Sequence, residues 1–355
     1  MNSIISLGYS IVFDHSGYND LSTLIEENNY SGIFIISDSN TNNFCVPTFL
    51  SKTATEVSIE IIEIEAGESM KTIMTCSEIW NALTDLGADR KSLIINVGGG
   101  VITDLGGFVG STYKRGIDFI NVPTTLLGMV DAAIGGKNGV DVAHLKNQVG
   151  TITPPKLVLI DSDFLSTLPQ NEMRSGLAEM LKHGLIADKK YWEKLLDLQK
   201  LDLADIDRLI RDSIVIKNDI VVKDPTENGI RKALNFGHTL GHAIESHFLN
   251  DESKKTLLHG EAVAAGMILE SYISYRKNLI SASEYDQIKN TIKNIFDDIL
   301  FEKFDVNSIL LLLIHDKKNE YGTIRFALLH GIGNIIIDQE TENDVIIDAF
   351  NDYKK

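Results

Sequence analysis

The sequence predicts an α/β fold, with a Rossmann-like N-terminal domain followed by a mostly α-helical C-terminal domain. Two observations lead to this prediction. In the first part of the chain, short apolar runs rich in β-branched residues alternate with helical stretches, as in open parallel sheets. After about residue 161, helical periodicity replaces this alternation almost completely. The predicted domains therefore span residues 1–161 and 162–355.

Buried parallel strands are predicted where β-rich apolar runs are bounded by turn residues. Residues 32–37 and 92–97 form two such runs, and the more strictly alternating residues 57–65 are expected nearer the edge of the sheet. Helical spacing is found at residues 77–86, and a further helix is expected at 103–112, after a glycine cluster. Strands and helices in this order, with glycines at the strand ends, are typical of a nucleotide-binding sheet.

The C-terminal part carries a series of segments with helical periodicity. Strand signals return only at residues 323–329 and 334–337, and the sequence contains no internal repeat. The predicted helices are residues 165–183, 191–198, 205–219, 231–247, 260–275, 284–299 and 306–315.

Composition and charge restrict the class of protein. The chain has 355 residues and a net charge of −17, which argues against nucleic acid or an anionic membrane surface as a partner. An anionic substrate would need a local cluster of lysines and arginines. The N-terminus lacks the features of a signal peptide, and apolar runs such as 309–314 are too short to span a bilayer. Cys45 and Cys76 have no metal-binding or redox spacing, so a cytoplasmic protein with reduced cysteines is expected.

Three glycines follow the second buried strand and precede Asp104. Such glycines let the backbone approach a pyrophosphate, and the next helix offers its N-terminal N–H groups. A tight turn between strand and helix is the alternative, because the run lacks the G-x-G-x-x-G order. Asp38 and Asn40, after the first strand, could bind ribose or adenine, or could simply form a turn.

A dense polar segment runs from residue 122 to residue 147. Asp131 lies within it, and Lys137 and Lys146 stand near glycines. Lysine side chains and backbone N–H groups together suit a phosphate or carboxylate. A Gly-Gly-Lys sequence by itself is more often an ordinary loop.

The helical part contains candidate metal ligands. His238 and His242 are four residues apart and share one helical face, and His259 opens the next apolar helix. With a carboxylate they could bind zinc, and the spacing favours His238 and His242 as the ligand pair. Histidines that are satisfied by hydrogen bonds in the core are the alternative. Glu179 and Lys182 share a face three residues apart, which could equally be an exposed ion pair.

Further charged residues flank these helices. Lys217, Glu227 and Arg231 precede the histidine helix, and Lys317 and Lys318 lie near the C-terminus. Each one alone would be interpreted as a solvated charge.

Taken together, the segments resemble the 3-dehydroquinate synthase family, within the superfamily of sugar phosphate cyclases. The resemblance extends from about residue 38 to about residue 333. It rests on motifs in the family's order, which are GGGVITDLGGFVGSTYKRG, VPTTLLGMVDAAIGGKNG, LKNQVG, SGLAEMLKHGLI, LNFGHTLGHAIE, LHGEAV and DKK.

The resemblance implies a reaction and its cofactors. The substrate would be 3-deoxy-D-arabino-heptulosonate 7-phosphate, and the products 3-dehydroquinate and phosphate. NAD would be regenerated in each turnover, so that the net reaction is that of a carbon–oxygen lyase acting on phosphate. One divalent metal, zinc or cobalt, would be required. The family places the reaction in the shikimate pathway to chorismate and the aromatic amino acids. It also implies a homodimer in which Arg115 reaches the neighbouring active site.

The resemblance also changes one assignment, that of His242. It makes Glu179, His238 and His259 the metal ligands, and it makes His242 a proton relay that works with Glu227. The implied catalytic residues are His242, Glu227, Lys182 and Asp131. The implied substrate-binding residues are Arg115, Lys137, Asn147, Lys217, Arg231, Asn235 and either Lys317 or Lys318, with Lys217 and Arg231 as the carboxylate clamp. The implied NAD-binding residues are Asp38, Asn40, Glu68, Lys71, Gly99, Gly100, Val101, Asp104, Thr124, Thr125 and Lys146.

Two positions depart from the family pattern. The family usually has Thr where this chain has Asn138, and commonly Asn where it has Asp141. Three other functions compete with the prediction. The first is a different sugar phosphate cyclase, such as a 2-deoxy-scyllo-inosose, 2-epi-5-epi-valiolone or amino-dehydroquinate synthase. The others are a metal-dependent alcohol dehydrogenase and a non-catalytic nucleotide-binding scaffold. The joint presence of Lys217, Arg231 and Asn235 with His242 favours 3-dehydroquinate synthase.

Overall fold

The computed structural model of the chain describes residues 3–142, 145–200, 203–251, 253–315 and 324–355. Lys317 and Lys318 lie outside these ranges. The chain divides into two compact units, Met1–Pro169 and Gln170–Lys355. The division falls after Pro169, whereas the sequence suggested residue 161. The intervening residues include a 3-10 turn, Ser162–Thr167, which closes the first unit.

The first unit contains a seven-stranded sheet in the order β1-β2-β9-β6-β5-β3-β4 and a separate hairpin of β7 and β8. β1 pairs with β2 antiparallel, and the remaining pairs of the sheet are parallel. The strands are β1 (Ile4–Ile5), β2 (Ser10–Phe13), β3 (Ile33–Asp38), β4 (Ile59–Ile64), β5 (Leu93–Gly98), β6 (Asp118–Pro123), β7 (Lys137–Val142), β8 (Leu145–Ile152) and β9 (Leu157–Ile160). The helices are α1 (Asp14–Asn28), α2 (Ser39–Phe44), α3 (Val46–Lys52), α4 (Ile73–Asp85) and α5 (Gly100–Thr112).

Burial explains the strand patterns. Every residue of β5 is buried, as its continuous apolar run predicts for a central strand. β4 lies at the edge of the sheet, as predicted, and exposes Glu60 and Glu63. A hydrophobic core that includes Ile36, Ile94 and Leu105 packs β3 and β5 against α5. The predicted Rossmann-like α/β fold is therefore confirmed.

The parallel arrangement brings three predicted nucleotide-binding segments to one edge of the sheet. Asp38 is the last residue of β3, Gly98 is the last residue of β5, and Thr124 directly follows β6. In the register of the sheet, Gly98 pairs with Pro123. Because the carboxyl ends of parallel strands lie side by side, this edge is the usual ligand-binding edge of such sheets.

The second unit is mostly helical, as predicted, and its described residues include an antiparallel hairpin. Its helices are α6 (Gln170–Ala187), α7 (Lys189–Lys194), α8 (Leu203–Lys223), α9 (His238–Asn250), α10 (His259–Arg276), α11 (Ala282–Lys293), α12 (Lys303–His315) and α13 (Asn343–Tyr353). Its hairpin consists of β10 (Arg325–Leu329) and β11 (Ile335–Glu340).

The prediction of one continuous helix over residues 231–247 was wrong. The chain forms a 3-10 turn at Ile230–Asn235, and α9 begins only at His238. Gly237 between them has φ +77°, a left-handed conformation that favours glycine. Glu270 of α10 caps the new helix, since its carboxylate accepts hydrogen bonds from the backbone N–H of Gly237 (2.7 Å) and of Leu240 (3.0 Å).

Among the described residues, none of the helices combines the length and the hydropathy that a membrane span requires.

Candidate active site

Three helices of the second unit bring the predicted metal ligands together. Glu179 lies on α6, His238 begins α9, and His259 begins α10. Glycines allow the helix backbones to come close. A Cβ atom on Gly266 would lie 2.0 Å from the carbonyl oxygen of Gly237, and one on Gly260 of α10 would lie 2.4 Å from the Cα of Ser175 on α6.

The distances between the candidate ligand atoms suit a divalent metal. Glu179 Oε1 lies 3.4 Å from His238 Nε2 and 3.9 Å from His259 Nε2. Donor atoms bound tetrahedrally to zinc at 2.0–2.2 Å are about 3.3–3.6 Å apart, so one ion could be held with small adjustments. Lys182 contacts the other oxygen of Glu179, and both side chains are buried. The alternative of an exposed ion pair is therefore excluded.

The imidazole of His238 is prepared to act as a ligand. Its Nδ1 lies 3.1 Å from the carbonyl oxygen of Phe236, so that Nδ1 carries the hydrogen and Nε2 faces Glu179 with its lone pair. Burial, and next the positive charge of Lys182, hold the pKa of His238 well below its ordinary value. The neutral imidazole is the form that binds metal ions.

His242 shares the same cluster. Its ring centroid lies 5.1 Å from that of His238 and 5.6 Å from that of His259. One nitrogen from each of the three rings fits within 4.8 Å of the others. His242 thus stands beside the candidate metal position, where either a ligand or a proton relay would be placed.

The predicted carboxylate clamp is buried. Lys217 of α8 and Arg231 of the 3-10 turn are 5% and 2% exposed. Arg231 Nη1 donates to the carbonyl oxygen of Pro225 (2.7 Å), and the carboxylate of Asp224 accepts from the backbone N–H of Arg231 (3.0 Å) and of Gly229 (2.7 Å). Burial alone would raise the pKa of Asp224, but these backbone donors outweigh it and hold the pKa below its ordinary value. The loop that presents Arg231 is therefore held in a defined conformation.

Glu227 and Asn235 are brought together by this loop. Asn235 Nδ2 donates to Glu227 Oε1 at 2.7 Å. Glu227 has φ +61°, an uncommon conformation for a residue with a side chain. Strained backbone of this kind is concentrated at functional sites, although it does not by itself define a role.

In the first unit, predicted NAD-binding residues form two ion pairs, and Lys71 also contacts Asn147, a predicted substrate-binding residue. Lys71 Nζ donates to Asp104 Oδ2 (2.7 Å) and to Asn147 Oδ1 (2.8 Å), and Lys146 pairs with Glu68 (3.1 Å). Burial alone would lower the pKa of Lys71, but the carboxylates of Asp104 and Glu68 outweigh it and raise the pKa. Lys71 therefore stays charged although it is buried.

The glycine run fits the backbone cradle that a pyrophosphate needs. α5 begins at Gly100, directly after β5, so its first N–H groups face the carboxyl edge of the sheet. A Cβ on Gly99 would lie 2.8 Å from Cγ2 of Thr125. Asp38 caps α2, since its Oδ1 accepts from the N–H of Asn40 (2.9 Å) and of Thr41 (2.8 Å). The turn-forming role considered for Asp38 is thus present in the structure.

The other predicted residues of this unit lie on neighbouring segments. Arg115 ends a 3-10 turn after α5, Asp131 lies in a π-helical turn, Gly128–Ala132, Lys137 begins β7, and Lys146 and Asn147 belong to β8.

The two positions that depart from the family pattern both have defined partners. Buried Asn138 donates through Nδ2 to the carbonyl oxygens of Gly136 (3.1 Å) and Thr153 (2.9 Å). Asp141 Oδ1 accepts from the backbone N–H of Asn147 at 2.7 Å, and the N–H of Asp141 donates to the carbonyl oxygen of Lys71 at 2.8 Å. Asp141 thus links the two segments that carry Lys71 and Asn147, a role that the sequence did not reveal.

Profiles of one family match the two parts of the chain. The profile described as 3-dehydroquinate synthase N-terminal matches residues 61–175, and the one described as 3-dehydroquinate synthase C-terminal matches residues 176–319. The chain belongs to the 3-dehydroquinate synthase family. A 3-dehydroquinate synthase from Parabacteroides distasonis is 41% identical over 339 residues, which cover 95% of each chain. The family and the function predicted from the sequence are confirmed.

Solved structures of sugar phosphate cyclases share the fold of this family member. The 2-epi-5-epi-valiolone synthase of Streptomyces hygroscopicus subsp. jinggangensis 5008, with NAD+ and Zn2+ bound, has a TM-score of 0.87 and 26% identity, covering 100% of this chain and 99% of its own. A 2-deoxy-scyllo-inosose synthase complexed with carbaglucose-6-phosphate, NAD+ and Co2+ has a TM-score of 0.85 and 25% identity, covering 99% and 100%. The groups bound to these neighbours agree with the predicted cofactors, NAD and one divalent metal.

The close contact of α9 and α10 leads to a testable prediction. Gly266→Ala is expected to lower the free energy of unfolding by about 1–3 kcal/mol, because the added Cβ overlaps the backbone of Gly237. Chemical denaturation measures this change. Gly32→Ala is the matched control, since a Cβ there would meet nothing closer than 3.5 Å. Equal stability of the two variants would contradict the close approach of the helices.

Proposed function

We propose that this member of the 3-dehydroquinate synthase family acts as a carbon–oxygen lyase in the shikimate pathway. It would eliminate phosphate from 3-deoxy-D-arabino-heptulosonate 7-phosphate and close the carbon chain to 3-dehydroquinate. The observation that best supports the site is the buried carboxylate of Glu179, whose Oε1 faces Nε2 of both His238 and His259. A carboxylate and two imidazoles form a ligand set for catalytic zinc or cobalt that leaves positions for substrate oxygens.

Each cofactor supplies one kind of chemistry when it is bound. NAD accepts a hydride and later returns it, and the metal polarises a substrate hydroxyl. The residues proposed to hold the metal are Glu179, His238 and His259. Those proposed to hold NAD are the predicted residues at the carboxyl edge of the sheet and in the ion pairs of Lys71 and Lys146.

The remaining side chains would bind and orient the substrate. Buried Lys217 and Arg231 suit its carboxylate, because charge-assisted hydrogen bonds to an anion are strongest where water is excluded. The phosphate would be bound by Lys137, Asn147, Asn235 and one of the C-terminal lysines. His242 would move a proton at the reacting end of the substrate, with Glu227 as its partner, and Lys182 and Asp131 would contact the reacting groups.

The competing functions differ in their demands on the site. A sugar phosphate cyclase whose substrate lacks a carboxylate does not need two buried cations for one, whereas Lys217 and Arg231 are both buried here. An alcohol dehydrogenase would convert NAD in each turnover, and a scaffold protein would need no metal ligands. The clamp favours 3-dehydroquinate synthase over a cyclase whose substrate lacks a carboxylate and over an alcohol dehydrogenase, and the buried Glu179 favours it over a scaffold protein.

We further propose a cytoplasmic homodimer in which Arg115 reaches the neighbouring active site. Both cysteines are buried free thiols, which fits a reducing compartment. Arg115 is exposed. It follows Lys114 in a turn, and both residues have positive φ values, +73° for Arg115 and +48° for Lys114. An exposed arginine in a turn can be reached by a second copy of the chain, and this supports the proposed contact.

The reaction itself can be tested directly. The purified chain is expected to release phosphate from 3-deoxy-D-arabino-heptulosonate 7-phosphate when a divalent metal and a catalytic amount of NAD are present, because the hydride is returned in each turnover. Phosphate release and absorbance of NADH are measured together. Chelation of the metal should abolish release. Accumulation of NADH in proportion to product, or turnover of a sugar phosphate without a carboxylate instead, would contradict the proposal.

Substitutions separate the metal ligands from the proton relay. His259→Ala is expected to lower zinc affinity by at least about 100-fold, since it removes a ligand. His242→Ala should retain the metal and lower kcat by about 10²–10⁴-fold, the usual effect of losing a general acid–base group. Zinc is quantified after dialysis. His247→Ala, which removes another histidine of α9, is the control and should keep both properties. Loss of zinc in His242→Ala would show that the ligand pair suggested by spacing is the correct one.

Mixed dimers test the role of Arg115. Arg115→Ala and Lys217→Ala are each expected to be nearly inactive as homodimers, because each removes a cation for the substrate. A heterodimer of the two variants, purified with different tags, should regain about half the activity of the unsubstituted dimer, since one of its two sites has both cations. If Arg115 served its own subunit, both sites of the heterodimer would stay inactive.

A further inference from the structure

We propose that Glu245 is a positioning residue for the metal, because it fixes the orientation and tautomer of the ligand His259. This inference rests on the proposed metal site and adds a residue to which neither the motifs nor the spacing gave a role. On α9, Glu245 lies seven residues after His238 and three residues after His242, so the three side chains share one face of the helix.

The contact between Glu245 and His259 joins two helices. The Glu245 carboxylate is nearly buried, with 6% of the residue exposed, and its Oε2 lies 3.3 Å from His259 Nδ1. His259 is the first residue of α10, so this contact ties the start of that helix to α9.

The two nitrogens of the His259 ring face two different carboxylates. Nδ1 faces Glu245, and Nε2 faces Oε1 of Glu179 at 3.9 Å. An ionised carboxylate can only accept a hydrogen bond, so Glu245 selects the tautomer with the hydrogen on Nδ1. The lone pair of Nε2 is then directed toward Glu179, where the metal would be bound.

His238 shows the same division of roles with a different acceptor. Its Nδ1 is paired with the backbone oxygen of Phe236 at 3.1 Å, and its Nε2 faces Glu179 at 3.4 Å. A backbone acceptor is set by the fold, whereas the acceptor of His259 is a side chain. Hydrogen bonds of this kind commonly raise metal affinity, because they orient the imidazole and increase its basicity.

The second unit contains a matched control. Asp305 Oδ1 pairs with His247 Nε2 at 2.8 Å, and both residues are buried. This pair also joins α9 to another helix, α12. The Oδ2 of Asp305 accepts a hydrogen bond from Lys254 at 2.8 Å. Asp305→Asn thus removes a buried carboxylate that holds a histidine which is not one of the proposed ligands.

The experiment measures metal binding rather than turnover. Zinc affinity is determined by competition with a chromogenic chelator, and cobalt-loaded protein is examined by visible absorption. Glu245→Ala is expected to weaken zinc binding by about 10–100-fold and to change the cobalt spectrum. Glu245→Gln, which keeps one oxygen acceptor and the side-chain volume, should lie between Glu245→Ala and the unsubstituted chain. Asp305→Asn should lower thermal stability but leave zinc affinity and the cobalt spectrum unchanged.

The outcomes separate the two proposals. If Glu179→Ala loses zinc but both Glu245 variants bind zinc as tightly as the unsubstituted chain, the positioning role of Glu245 is overturned. If Glu179→Ala kept its zinc, the ligand set of the proposed function would itself be wrong. An equal loss of zinc in Asp305→Asn and Glu245→Ala would also overturn the role, since the effect would then follow from general destabilisation. Where Glu245→Ala does not fold, Glu245→Gln supplies the measurement.

Discussion

The second unit is organised around the carboxylate of Glu179, which is completely buried. Placing an ionised carboxylate away from water costs several kcal/mol unless charged or hydrogen-bonding groups surround it. Here Lys182 contacts one oxygen, and two imidazole nitrogens face the other. A divalent cation between the carboxylate and these imidazoles would supply the opposite charge that the buried group requires. The same demand explains why α6, α9 and α10 must meet at this point.

Close packing of helix backbones makes this meeting possible. The absence of a side chain at Gly266 and at Gly260 lets α10 approach both α9 and α6 more closely than any other residue would allow. Glu270 then accepts hydrogen bonds from buried N–H groups at the start of α9, and Glu245 links α9 back to α10 through His259. Two buried carboxylates thus hold the helices that carry the histidines. Rigid support of this kind is what keeps a metal site in its binding geometry.

Several positively charged side chains are buried, although the chain as a whole has a negative net charge. With a net charge of −17, the protein repels an anionic substrate at long range. Lys71, Lys182, Lys217 and Arg231 are all buried, however, where their interaction with an anion is little screened. Carboxylates beside Lys71 raise its pKa and keep it charged. An anion bound by any of these side chains would therefore be held by an enclosed cation and not by the field of the surface.

The sequence alone determined the class of fold, the order of the motifs and the family, because strand and helix periodicity and ordered motifs are local properties of the chain. It predicted β3, β4 and β5 and most helices of the second unit to within a few residues. It could not show that the helix predicted over 231–247 is interrupted at Gly237, since that break depends on Glu270 of another helix. The sequence also left open whether Glu179 and Lys182 form an exposed ion pair, because burial depends on neighbours that are distant in sequence.

Only the tertiary structure decided which polar side chains contact each other. Asp141 forms hydrogen bonds to the two segments that carry Lys71 and Asn147, and Glu245 lies beside the ring of His259. Neither contact has a sequence signature, because each joins residues on separate elements whose separation is set by backbone packing. The physical reason is that periodicity encodes which face of an element is buried, while the partner of a buried polar group is chosen by the elements packed against that face.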